Sequence, residues 1–125
     1  MKLKTWLLVN TVLPAVFGLA LVLVPGTFIA TYGVTADAGI RYVGQQLGAC
    51  FLGIAVLCWF AKDAPVSEAH TAIFRALFVL NGVAFVVSLM AQLNGVMNAV
   101  GWSAVAIYLL LGLGWAYFLR AKPTA

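Results

Sequence analysis

Few residues in this chain could carry acid–base or metal chemistry. It has three carboxylates, Asp37, Asp63 and Glu68, and a single histidine, His70. All four belong to segments between long apolar runs, and none lies within such a run. Because a membrane proton relay needs an intramembrane acid and general acid–base catalysis needs titratable groups near the substrate, we expect a protein that is not an enzyme. A lone histidine also argues against bis-histidine haem or a histidine-rich metal site, so we expect no cofactor and no metal.

Arg41 is the strongest single candidate for a ligand-binding residue. It opens the apolar run of residues 40–61, and Gln45 follows it one helical turn later with Gly44 between them. A guanidinium beside an amide could hold an anionic headgroup or a carboxylate. Two structural alternatives stay open, because Asp37 has the i−4 spacing of a helical ion pair and an arginine can also extend to lipid headgroups.

A second polar set lies inside the apolar runs. Its members are Asn10, Asn81, Ser88, Gln92 and Tyr108. Asn81, Ser88 and Gln92 fall on one face of a helix. The depths of Asn81 and Tyr108 nearly coincide, so we predict that Asn81 faces the interior and hydrogen-bonds across helices to Tyr108, with Asn10 as the alternative partner. Such bonds either fix helix pairing or line a polar pocket.

These two sets give the candidate ligand-binding residues of the chain. They are Arg41, Gln45, Gln92, Asn81 and Tyr108. We expect Arg41, Gln45 and Gln92 to meet at the outer end of a helical bundle, while Asn81 and Tyr108 lie near its middle.

The composition identifies the setting in which these residues work. The chain has 125 residues, of which 65% are hydrophobic and 8% charged, and its mean hydropathy is +1.09. A soluble domain carries roughly 25% charged residues, so this chain has too little polar surface to face water. The net charge of +4 comes from basic residues scattered at helix ends, and we expect no nucleic-acid partner.

Four apolar runs are each long enough to cross the ~30 Å hydrocarbon core of a bilayer. We predict one membrane domain over residues 1–125 with spans at about 4–24, 40–61, 71–93 and 99–119. The fold is an all-α four-transmembrane-helix bundle, with a short interfacial segment at 27–34 after Pro25-Gly26 and a polar loop at 62–70. We interpret the first run as a retained span, because it is longer than the apolar core of a signal peptide and no A-x-A-like site follows it.

The second span has two distinct faces. The predicted packing face contains Arg41, Gly44, Gln45, Gly48, Leu52, Ala55 and Trp59. The predicted lipid face contains Val43, Leu47, Cys50, Ile54 and Leu57. Gly44-x-x-x-Gly48 favours helix contact within the chain rather than dimerisation. Cys50 and Cys58 are about 12 Å apart along the helix and cannot form a disulfide with each other.

Charge asymmetry predicts the orientation. Six of the seven basic residues flank the side that holds both termini, and Arg41 alone flanks the other. Because basic residues concentrate on the cytoplasmic side, we expect both termini in the cytoplasm. The six are Lys2, Lys4, Lys62, Arg75, Arg120 and Lys122.

Arg41, Gly44, Gly48 and Gly53 give the chain a resemblance to a known group. It resembles small uncharacterised four-span bacterial membrane proteins of the DoxX-like kind. The resemblance implies a four-helix bundle in a bacterial inner membrane and an accessory role in membrane or redox complexes. It carries over no catalytic residue.

The sequence therefore indicates a non-enzymatic integral membrane protein. We expect it to bind a lipid-like or small hydrophobic ligand or a membrane partner subunit, with membrane lipids or further copies of itself as partners. The alternative is a small transporter or a channel-forming oligomer.

Overall fold

The computed structural model of the protein describes residues 1–121, and all regular structure within them is helical. The helices are α1 (Leu3–Leu23), α2 (Pro25–Ala30), α3 (Ala38–Ala61), α4 (Glu68–Leu93) and α5 (Gly101–Ala121). All except α2 are long and apolar enough to cross a membrane. The predicted all-α fold with four membrane-spanning helices is confirmed. Lys122, which the orientation argument uses, lies outside the described residues.

The predicted ends at 61 and 93 are unchanged, and the other predicted ends of the spans move by one to three residues. Asp37 precedes α3, and its Oδ1 accepts a hydrogen bond of 2.8 Å from the backbone N–H of Ile40. In this N-cap a carboxylate satisfies one of the donors that a helix start leaves unpaired. Pro25, predicted to end the first span, also begins α2, since proline fits the first helical position.

The chain divides into two compact units, Met1–Ala64 and the part that begins at Pro65. In the first unit α1 and α3 meet where Gly18 faces Gly48. A Cβ added to Gly48 would lie 2.8 Å from the Gly18 carbonyl oxygen and 2.9 Å from Leu21 Cβ. Only glycine allows the two backbones this separation, so the predicted packing role of Gly44-x-x-x-Gly48 within the chain is confirmed.

The buried face of α3 is shorter than the predicted packing face. Arg41 and Gln45 at its amino end are exposed, and its carboxyl end also differs. Gly44, Gly48 and Ala55 are buried as predicted, but Trp59 is 48% exposed and Cys58 is fully buried in its place. The Lys62 Nζ lies 3.8 Å from the centroid of the Trp59 ring. An aromatic ring at a helix end is stable at the membrane–water interface, which periodicity alone does not represent.

The opposite face of α3 agrees with the prediction for most of its length. Val43, Leu47, Cys50 and Leu57 are exposed, whereas Ile54 is half-buried. Both cysteines are free thiols.

In the second unit α4 and α5 pack through an aromatic pair and a glycine. The ring centroids of Phe74 and Trp115 are 5.2 Å apart, and the His70 ring lies 6.0 Å from Phe74. Further along, a Cβ added to Gly112 would lie 3.8 Å from Asn81 Cβ. A turn at Asn94-Gly95 follows α4, and Gly95 has φ +73°, a left-handed conformation that glycine adopts without strain.

The placement of His70 in the polar loop is wrong. α4 begins at Glu68, so His70 lies in its first turn, and its side chain is buried. An acidic residue in the first turn stabilises a helix start, which extends α4 into the segment predicted as a loop. The Ser67 Oγ lies 3.4 Å from His70 Nδ1.

Candidate functional site

Arg41 lies on the first turn of α3, close to α2. Its Nη1 donates a hydrogen bond of 3.2 Å to the Ala36 carbonyl oxygen, and its side chain is exposed. A Cβ added to Gly26 would lie 3.4 Å from Arg41 Cδ, so the arginine stem passes close to the start of α2. The guanidinium is therefore positioned by backbone while much of it stays accessible.

The alternative of an ion pair between Asp37 and Arg41 is wrong. The structure shows Asp37 capping α3, and within residues 1–121 the ion pairs all involve Asp63. The carboxylate of Asp37 faces the backbone donor it caps. No described carboxylate neutralises Arg41, which leaves its charge available to an external anion.

Gln45 connects α3 to the end of α1. Its Nε2 donates a hydrogen bond of 3.1 Å to the Val22 carbonyl oxygen. α1 ends at Leu23, so this carbonyl is among the last four of the helix, which lack intrahelical donors. Gln45 supplies a donor to that end of α1 and holds it against α3, one turn from Arg41.

Gln92 has the corresponding task in the second unit. Its Nε2 donates a hydrogen bond of 3.0 Å to the Asn98 carbonyl oxygen, which closes the connection between α4 and α5. A Cβ added to Gly101 would collide with Gln92 Oε1. The predicted meeting of Gln92 with Arg41 and Gln45 stays a prediction.

Asn81 is buried as predicted, but its hydrogen bond is not the predicted one. Its Nδ2 donates a hydrogen bond of 2.7 Å to the Leu77 carbonyl oxygen, one turn back in α4. Asn10 is also buried, and its Nδ2 donates a hydrogen bond of 3.0 Å to the Trp6 carbonyl oxygen, one turn back in α1. A short amide reaches its own helix more readily than a neighbouring one, so the predicted bond across helices to Tyr108 or Asn10 is replaced by a local one.

A cluster at the other end of the first unit, which we call the lysine end, was not predicted. Lys4 Nζ lies 3.0 Å from Asp63 Oδ1, and Lys62 donates to Asp63 Oδ2. The hydrogen bonds from Lys62 and then Lys4 lower the pKa of Asp63 below its usual value. Lys4 lies near the start of α1, and Lys62 and Asp63 follow the end of α3. Because α1 and α3 are antiparallel, these two ends lie together, and this is the feature from which the ion pair could have been predicted.

Replacing Asp63 with asparagine is expected to lower stability at neutral pH and to remove part of its acid dependence. Since folding lowers the pKa of Asp63, its stabilisation is complete above the unfolded pKa of about 3.9 and is lost as pH falls through the folded value. Thermal unfolding in detergent between pH 7 and pH 3 measures the effect. An identical pH dependence in Asp63→Asn and the parent chain would contradict the assignment.

Comparison of the chain with protein families, curated proteins and solved structures finds no match. The class of protein follows from the helices themselves. Four helices of spanning length and apolar composition define an integral membrane protein.

Proposed function

We propose that this integral membrane protein binds an anionic lipid headgroup through Arg41 and is not an enzyme. The observation that carries the proposal is the exposed guanidinium, which no described carboxylate neutralises and which a backbone carbonyl holds in place. A guanidinium has five N–H donors in a planar fork, and Nη1 donates one of them to the Ala36 carbonyl oxygen. The accessible donors suit two oxygens of one phosphate, the bidentate geometry that arginine favours.

The orientation belongs to the same proposal. With both termini in the cytoplasm of a bacterial inner membrane, Arg41 lies at the outer leaflet and the lysine end lies at the inner one. A C-terminal fluorescent-protein fusion is expected to fluoresce, and an alkaline phosphatase fusion at the same site is expected to be inactive. The reverse pair of results would reject this orientation.

Arg41→Ala is expected to reduce retention of an anionic phospholipid at least tenfold, because loss of a charge-assisted hydrogen bond costs about 1.5–3 kcal/mol and 1.4 kcal/mol is tenfold. Native mass spectrometry of protein released from nanodiscs with equal amounts of phosphatidylglycerol and phosphatidylcholine gives the measurement. Arg41→Lys should retain an intermediate amount, since lysine keeps the charge but loses the fork.

Arg75→Ala is the matched control, because Arg75 is also an exposed arginine on a spanning helix. It should retain the lipid as the parent chain does. If Arg41→Ala lowers thermal stability while lipid retention is unchanged, Arg41 is structural and the proposal fails. Retention of a partner protein in place of lipid would also overturn it, in favour of a membrane partner subunit.

A further inference from the structure

Gln45 lies one helical turn inward from Arg41 on the same side of α3. Four residues differ by about 40° around a helix and by about 6 Å along its axis. The Arg41 guanidinium bonds to Ala36, which precedes α3, so it points away from the hydrocarbon, and Gln45 lies on the hydrocarbon side of it. A lipid whose phosphate is bound at Arg41 extends in that same direction, towards Gln45.

The Gln45 amide has a hydrogen-bond donor that the protein leaves unused. Its Nε2 has two N–H groups. One donates a hydrogen bond of 3.1 Å to the Val22 carbonyl oxygen, which holds the amide in place, and the other has no acceptor in residues 1–121. The side chain is exposed, so the second N–H is open to a ligand.

Depth identifies the group that meets this donor. The headgroup and interfacial layer on each side of the hydrocarbon core is about 5–8 Å thick. The phosphate lies in the outer part of that layer, and the ester carbonyls that join acyl chains to glycerol are the last acceptors before the hydrocarbon. A step of ~6 Å inward from Arg41 therefore brings Gln45 to the level of these carbonyls.

We propose that Gln45 donates its second Nε2 N–H to an ester carbonyl of the lipid bound at Arg41, so that the site selects diacyl phospholipids over dialkyl ether phospholipids. This inference rests on the proposed function. An ether lipid keeps the phosphate but has no carbonyl, so it leaves the N–H unpaired.

The first unit supplies every protein group that this contact uses. Arg41, Gln45 and the Ala36 and Val22 carbonyls that position them all lie within Met1–Ala64. Because Arg41 and Gln45 are one turn apart on one side of α3, the molecule bound at Arg41 also determines what meets Gln45.

The first experiment measures lipid retention by native mass spectrometry, from nanodiscs with equal amounts of diester phosphatidylglycerol, diether phosphatidylglycerol and phosphatidylcholine. The parent chain is expected to retain the diester over the diether by about threefold, the effect of one neutral hydrogen bond. Gln45→Met has a similar size without the donor and should retain the two equally. Gln46→Met is the matched control, because Gln46 lies about 140° around α3 from Arg41, and it should keep the preference.

The outcomes separate this inference from the function on which it rests. Equal retention of the two phosphatidylglycerols by the parent chain, both above phosphatidylcholine, overturns the ester contact and leaves binding at Arg41 intact. A preference that persists in Gln45→Met also overturns the ester contact. Retention of neither phosphatidylglycerol above phosphatidylcholine overturns the proposed function itself.

The second experiment keeps Gln45 unchanged. The chain, labelled with ¹⁵N at its glutamine side chains, is reconstituted with phosphatidylglycerol that carries ¹³C at both ester carbonyls, and solid-state NMR detects close nitrogen–carbon pairs. A close pair is expected in the parent chain and in Gln46→Met, and it should disappear in Arg41→Ala, which no longer holds the phosphate. Absence of the pair in the parent chain, its loss in Gln46→Met, or its persistence in Arg41→Ala would each overturn the proposal.

Discussion

Replacing Gly48 with leucine is expected to separate α1 from α3 and to destabilise the first unit more than any other single change discussed here. Its Cβ would lie 2.8 Å from the Gly18 carbonyl oxygen and 2.9 Å from Val22 Cγ2. Because one of these neighbours is backbone, no rotamer change can relieve the contact. Overpacking costs about 1–3 kcal/mol for added methylenes, and a leucine here is expected to reach at least the upper value.

The measurement for Gly48 is thermal unfolding in detergent, followed by circular dichroism. Gly82→Leu is the control, because a side chain at Gly82 has open space. Equal midpoints for Gly48→Leu and Gly82→Leu would show that α1 and α3 tolerate separation, contrary to the packing described above.

Trp115→Ala is expected to be the most destabilising change in the second unit. Trp115 is 0% exposed, and its ring lies 5.2 Å from that of Phe74. Removing a buried tryptophan costs about 3–5 kcal/mol through lost contacts and the cavity that remains. The loss should appear as a large drop in the unfolding midpoint.

Trp102→Ala provides the comparison on the same helix. Trp102 is 49% exposed, so its removal leaves no enclosed cavity and should change the midpoint little. Similar losses for the two variants would contradict the assignment of Trp115 to the core and of Trp102 to the exposed surface.

The sequence was sufficient to predict the four long helices and the middle of the packing face of α3. Apolar runs of membrane-spanning length have few alternative structures, because only a helix satisfies its own backbone hydrogen bonds in lipid. The cap at Asp37 depends on local spacing, and the Gly44-x-x-x-Gly48 spacing predicted that Gly48 lies in a helix contact without identifying Gly18 as its partner. Whether residues 1–125 form a single membrane domain stays a prediction.

The errors arose where a residue had two possible partners. Asn81 was expected to bond across helices, yet the Leu77 carbonyl in the preceding turn of its own helix is the nearer acceptor. Trp59 has the periodicity of the packing face, yet its position at a helix end favours exposure beneath Lys62. Depth and helical periodicity predict where a side chain lies, but they do not include a competing contact with a residue nearby in the chain.

The candidate site was only partly predictable for a related reason. Arg41 could be selected from its type and place, but its charge is available because Asp37 caps the helix rather than pairing with it. The Gln45 bond to Val22 and the Lys4–Asp63 pair join residues far apart in the chain. Such contacts require the packing of α1 on α3, which composition and spacing do not determine.

Photocrosslinking with an anionic phospholipid tests the central claim most directly. A phosphatidylglycerol with a diazirine beside its phosphate is incorporated into liposomes that contain the protein, and the labelled residues are mapped by mass spectrometry. Binding at Arg41 predicts labelling concentrated between residues 22 and 45, and loss of that labelling in Arg41→Ala. Labelling concentrated at the lysine end, or labelling of 22–45 that Arg41→Ala leaves unchanged, would contradict it.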